Sequence, residues 1–170
     1  MTLAEFNALA SANAESALRD CCGSARWAAG VAAQRPFAYL KALYESADDV
    51  WRNLERADWL EAFSHHPQIG EKAATGSTSH RKWAEGEQTG ARAANEDVKT
   101  RLAHGNRSYY EKFGYIYIVC ATGKSAEEML ALLEQRLQNA PASELPIAAE
   151  QQGLITRLRL EKLLAGEHTT

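Results

Sequence analysis

Apolar residues recur every three or four positions along most of the chain, which is the period of an amphipathic helix. Leu3, Phe6, Leu9 and Ala10 follow Thr2 and Glu5, a T-x-x-E capping box, and predict a first helix. A second is expected from about Ala14 to Cys22, stopping at Gly23. Ser24 then caps a third, which carries Trp27, Val31 and Ala32 and ends before Pro36. The broadest apolar stripe is Phe37, Leu40, Leu43, Tyr44, Ala47, Val50, Trp51 and Leu54, with Pro36 expected in the first turn of that helix. Asp58 is expected to cap a short "WLEAF" turn that leads into a loop holding His65 and His66.

Past the loop, Ser79 is placed to cap "HRKWAEGEQTGARAA". A long polar helix from about Glu96 to Lys112 follows, and Gly114 ends it. "YIYIVCAT" is rich in β-branched and aromatic residues but has no second strand-like run to pair with. It reads as a buried extended connector near residues 115–122. Ser125 and Glu128 form another capping box, opening a helix that Pro141 follows, and a last helix is expected from about Glu144 to Leu164. There is no fixed-period repeat and no low-complexity segment. The pattern predicts an all-α, single-domain helical bundle over residues 1–170, with one extended connector.

The 170 residues are enough to bury one sizeable core, and 45% hydrophobic with 24% charged residues is ordinary for a globular chain. A net charge of −3 and scattered basic residues argue against a nucleic-acid partner. No apolar run approaches the roughly 20 residues that span a bilayer, so no membrane role is expected. The first residues lack a basic n-region, and the expected location is cytoplasmic. Three cysteines, Cys21, Cys22 and Cys120, make no disulfide framework and read as reduced thiols.

The candidate chemistry lies in three pieces. Histidines 65, 66, 80, 104 and 168 show neither H-x-x-x-H nor H-E-x-x-H spacing, so no metal site is predicted. His66 precedes Pro67, which biases its backbone toward extended geometry and suits an imidazole aimed into a pocket as a general acid or base. A solvated loop histidine would look the same. In "WAEGEQTGA", Ala84, Glu87, Gln88 and Ala91 share one helix face, and Gly86 and Gly90 flank the polar pair at about 1 kcal/mol each relative to alanine. Such glycines suit a helix that something approaches closely, or else a weak exposed helix of no consequence. The extended run offers backbone groups outside any sheet, able to read an amide-rich ligand, although Tyr115, Ile116 and Tyr117 would also suit a core.

Together, "HPQIGEK" (His66 to Lys72), "EQ" (Glu87, Gln88), "NRSYYEKFGYIYIV" (Asn106 to Val119), "EEMLALLEQRLQN" (Glu127 to Asn139) and "ITRLRLEKL" (Ile155 to Leu163) resemble the 2-oxo-4-hydroxy-4-carboxy-5-ureidoimidazoline (OHCU) decarboxylase family. The pieces run in the family's order and cover most of the chain; the ordered set is specific where no single piece is. The resemblance implies an all-helical homodimer that needs no metal or organic cofactor and converts OHCU to (S)-allantoin, the last step from urate. It puts the catalytic histidine on His66 and the catalytic glutamate on Glu87. Substrate contacts fall on Pro67, Ala84, Glu87, Gln88, the Ile118, Val119, Cys120, Ala121 and Thr122 run, and Arg159. One departure stands out: the family pattern favours serine where this chain has Ala84.

The implied chemistry suits these residues. The leaving carboxylate sits beside a ring C=N bond, which can take the electron pair, so no separate electron sink is required. The protein has only to desolvate a carboxylate, which departs as neutral CO₂, and to place protons. The rival reading is a non-catalytic helical binding or adaptor module, since any helical bundle shows the amphipathic pattern of residues 36–54 and 126–164.

Overall fold

Thr2 Oγ1 accepts the Glu5 N–H at 3.1 Å while Glu5 Oε2 accepts the Thr2 N–H at 2.7 Å. This reciprocal box starts helix α1 (Leu3–Ala8) as the sequence predicts. It belongs to a computed structural model that describes residues 1–69, 78–89 and 95–167. The further helices are α2 (Ser11–Cys21), α3 (Ala25–Ala32), α4 (Leu40–Arg52), α5 (Arg56–Ser64), α6 (Thr78–Glu87), α7 (Glu96–Phe113), α8 (Ala126–Arg136) and α9 (Pro141–Leu163). A 3₁₀ turn follows over Ala165–Glu167. No strand occurs among the described residues, and the all-α class holds. No described helix is long and apolar enough to cross a membrane.

The chain forms two compact units, Met1–Ala62 with Gly153–Thr170, and Phe63–Gln152. In the first, α2 packs on α3 and α3 on α4. Their seam is filled by Leu18, Trp27, Val31 and Leu43, all fully buried, and Trp27 donates its indole N–H to Ala47 O at 3.0 Å. Arg35 closes the end of α1 by donating to the carbonyls of Phe6 at 2.9 Å, which also takes the Leu9 N–H, and of Leu9 at 2.8 Å.

That arrangement corrects the expected start of α4. Pro36 is not in its first turn: the helix begins at Leu40, with Tyr39 extended at φ −156°. Asn7 explains the delay. Its side chain donates to Phe37 O and accepts the Phe37 N–H, both at 2.9 Å. A backbone read in this way by an amide is not available for a helical turn. Asp58 also differs: it sits inside α5 and accepts the Glu55 N–H at 3.1 Å from the third helical position.

In the second unit, α7 packs on α8. Asn95 caps α7 through Val98 N–H at 2.9 Å, and Gly114 ends it in the left-handed region at φ +81°. Ser125 and Glu128 complete the predicted box on α8. The helices approach closely at Gly105, where a Cβ would lie 2.6 Å from Leu133 Cδ2. Toward the end of α7 the rings of Tyr109, Phe113, Tyr115 and Tyr117 cluster, with centroids 4.6 to 6.2 Å apart. The last helix starts at Pro141, three residues before the expected Glu144, because proline suits the first helical position.

Candidate active site

The described stretch that follows α5, residues 65–69, is held at two points. His66 N–H donates to Phe63 O at 3.1 Å, and Asn106 on α7 donates to Ile69 O at 3.2 Å. Asn106 is buried, so this bond is shielded from water and holds the His66–Pro67 stretch at a fixed place beside α7. The imidazole is then oriented from α9: His66 Nε2 lies 2.6 Å from Gln152 Oε1, and Gln152 is fully buried. His66 and Pro67 are themselves half-buried, as a group that must meet a small ligand should be.

The extended run is buried as predicted. Tyr115 and Tyr117 through Ala121 are covered, while Thr122 is exposed. Side chains hold part of its backbone in the place of a partner strand. Arg136 Nη1 donates to Ile118 O at 2.6 Å, Cys120 N–H donates to Gln151 Oε1 at 2.9 Å, and Lys124 Nζ donates to Cys120 O at 2.8 Å. At Ile118 and Cys120, therefore, backbone groups that sequence reasoning left open to a ligand are engaged within the protein.

Arg136 reaches Ile118 from inside a closed polar network. Its guanidinium meets Glu144 Oε1 at 2.6 Å, Tyr109 Oη donates to the same oxygen at 2.5 Å, and Asn139 donates to Glu144 Oε2 at 2.9 Å. The guanidinium also lies 4.8 Å from the Tyr117 ring centroid. Burial, the largest single influence, pushes the Arg136 pKa down, but the Glu144 bond together with the charges of Tyr109, Glu144 and Tyr117 outweighs it, and the net shift is upward. Tyr109 is pushed up by burial and then by Glu144, so it keeps its proton and stays a donor.

On α6, Ala84 and Gln88 are buried and Glu87 is half-buried, so the face proposed from spacing does turn inward. Among the described residues beyond its own helix, nothing lies within 4 Å of where a Gly86 Cβ would stand. Ala91 and Gly90 lie outside the described residues. Arg159 falls in the other unit, where it is buried on α9; its charge bears on Cys22, which bonds the Thr156 side chain. A cavity of about 350 Å³ lies along α7 and α8, lined by Thr100, Arg101, His104, Ser108, Glu134 and Leu137. It holds none of the residues proposed as catalytic or substrate-binding. Among the described residues, no three His, Cys, Asp or Glu side chains gather as a metal site.

Sequence reasoning missed Gln151, Gln152, Arg136 and Glu144. A signal was present for two of them, Glu144 and Gln152. The buried face of α9 steps through Glu144, Ala148, Gln152, Ile155, Thr156 and Arg159, and polar residues in so regular a stripe need partners.

A family model for OHCU decarboxylase matches residues 7–161. The uric acid degradation bifunctional protein TTL of Arabidopsis thaliana is 39% identical over 148 residues, which is 85% of this chain but 45% of that protein. The chain therefore spans under half the length of that relative. The 2-oxo-4-hydroxy-4-carboxy-5-ureidoimidazoline decarboxylase of Amia calva is 30% identical over 138 residues, covering 81% of this chain and 79% of that one. Among solved structures, an OHCU decarboxylase crystallised in the presence of (S)-allantoin is similar with a TM-score of 0.77 and 37% identity, over 88% of this chain and 98% of that chain. An (S)-allantoin synthase gives a TM-score of 0.74 over 96% of this chain and 54% of that chain. At 18% identity the second likeness is one of fold.

Proposed function

The chain belongs to the OHCU decarboxylase family, and we propose on that premise that it removes CO₂ from OHCU to form (S)-allantoin. The observation that carries this reading is the His66 imidazole, aimed from a loop anchored by Asn106 and held through Nε2 by Gln152. A solvated loop histidine has no use for a fully buried amide partner. The extended run, fixed by Arg136 and Gln151, supplies rigid backbone in the same unit.

In the proposed reaction, Glu87 accepts the substrate hydroxyl proton, and the carbonyl forms in the last step, when the carbon–carbon double bond left behind by CO₂ is protonated. The bond to the carboxylate breaks, its electron pair enters the adjacent ring C=N, and that nitrogen takes up a proton. His66 delivers a further proton to one face of the ureido-bearing carbon, which fixes the hand of the product. One proton is consumed in sum and CO₂ leaves. Gln88 would pair with the ureido amide, and Pro67, Ala84 and the Ile118–Thr122 backbone would line the substrate. The chain's own residues carry every step, with no metal or organic cofactor. Because one family model runs through both compact units, we take them as one domain, active as a cytoplasmic homodimer.

Freshly made urate oxidation product, followed by circular dichroism, tests the assignment. The protein should yield optically active allantoin faster than the spontaneous racemic decay. His66→Asn and Glu87→Gln should abolish that signal while their melting points stay near wild type. Racemic product at the uncatalysed rate from folded wild-type protein would remove the assignment. Sedimentation equilibrium tests the dimer.

A further inference from the structure

We infer that Gln152 is a positioning residue, which fixes the proton of the His66 imidazole on Nε2 and so makes Nδ1 the nitrogen through which that ring exchanges a proton. The inference rests on His66 being the acid/base of the proposed reaction, but its geometry stands apart from that reading.

The contact is 2.6 Å between Nε2 and Oε1, within the range of a strong hydrogen bond. An amide oxygen only accepts, so the ring must present a hydrogen at Nε2 to make the bond in either charge state. With that hydrogen spent on the amide, the position that gains and loses a proton between the neutral and charged ring is Nδ1. Gln152 is fully buried and sits on α9, with its neighbour Gln151 on the Cys120 N–H at 2.9 Å. Consecutive residues of one turn therefore set the imidazole and the extended backbone, so a shift of that turn would move both together.

The choice of amide over carboxylate has a chemical consequence. A buried glutamate here would favour the charged ring and hold its proton against release. Glutamine orients the ring equally well and adds no charge that would hold the proton on it.

Nitrogen-15 NMR of the imidazole in the full-length protein, with the His66 signals assigned by their loss in His66→Asn, reads the tautomer directly. Wild-type protein is expected to show the neutral ring protonated at Nε2, and a ring protonated at Nδ1 would overturn the inference without any variant being made. Gln152→Met keeps the volume and removes the acceptor. It should give a mixed tautomer and a kcat roughly 10- to 100-fold lower with KM within about twofold, as expected of a misaimed group. Gln152→Glu restores the acceptor and should restore the Nε2–H form, with the charged ring persisting to higher pH. Gln151→Met should leave the tautomer unchanged. A uniform tautomer in Gln152→Met, or the same disturbance in Gln151→Met, would sink the assignment. Because the NMR result needs no substrate, an Nε2–H ring in a protein inactive on OHCU would count against the proposed reaction alone.

Discussion

Arg136 and Glu144 meet at 2.6 Å with 8% and 0% of their side chains exposed, and Arg136 passes the restraint on to Ile118 O. A buried pair of this kind contributes less than its Coulomb attraction suggests, because both ions lose their water. Removing one partner is another matter. Arg136→Met leaves a fully buried carboxylate with only Tyr109 and Asn139, and should lower the stability by about 3–5 kcal/mol. The double change Arg136→Met with Glu144→Leu should recover a large part of it. Urea denaturation of the single and double variants measures both. Additive losses would show that the pair does not act as a unit.

Ala84 is buried on the inward face of α6, at the position where the family pattern favours serine. A lost neutral hydrogen bond is worth about 1 kcal/mol, a factor of roughly five in affinity. Ala84→Ser should therefore lower KM for OHCU by about that factor and leave kcat near its starting value. Steady-state kinetics decides; an unchanged KM would mean the hydroxyl finds no substrate atom.

The helical frame was legible because its signals are local. Thr2 with Glu5, Ser24, Ser125 with Glu128, and Gly114 each mark an end by chemistry within four residues. The delayed start of α4 was not, since Asn7 sets it from 30 positions away. The candidate site divides in the same way. His66 and the buried face of Ala84 and Gln88 follow from proline and helical spacing. Gln152 meets His66 across 86 positions, and no window of sequence contains that bond. The extended run was recognisable as lacking a partner strand. What holds it in place, Arg136 and Gln151, became visible only once the helices had packed.

At Gly105 the space for a methyl group is already occupied. A Cβ there would stand 2.6 Å from Leu133 Cδ2 and 3.2 Å from its Cγ, and Leu133 is fully buried. Gly105→Ala would gain helix propensity, roughly 1 kcal/mol, and lose more by overpacking, typically 1–3 kcal/mol. The net effect should be destabilising, with a melting point lower by a few degrees. A melting point equal to or above wild type would show that Leu133 repacks freely.

Cys22 gives the fold a predictable weakness in alkali. Burial pushes its thiol from the ordinary 9.0 up to about 11, against smaller opposing contributions from the Ser24 backbone, the Thr156 side chain and the Arg159 charge. The neutral thiol is thus the form the native state prefers. Below pH 9 both states hold the proton, and the contribution is fully present. As the pH rises past 9 the unfolded chain ionises first, binds fewer protons than the native one, and gains free energy that the native state cannot match until about pH 11. Over that window the loss is on the order of 2–3 kcal/mol. Tyr117, raised by burial from 10.0 to about 12, adds a loss of the same sign that begins near pH 10, so the comparison must be made against a variant that retains it. Cys22→Ala fills that role. It should start less stable at pH 8, having lost a buried sulfur, and then fall less steeply than wild type between pH 9 and 11. Parallel urea titrations across that range measure the two slopes. Equal slopes would mean that Cys22 ionises in the native state as readily as in the unfolded chain.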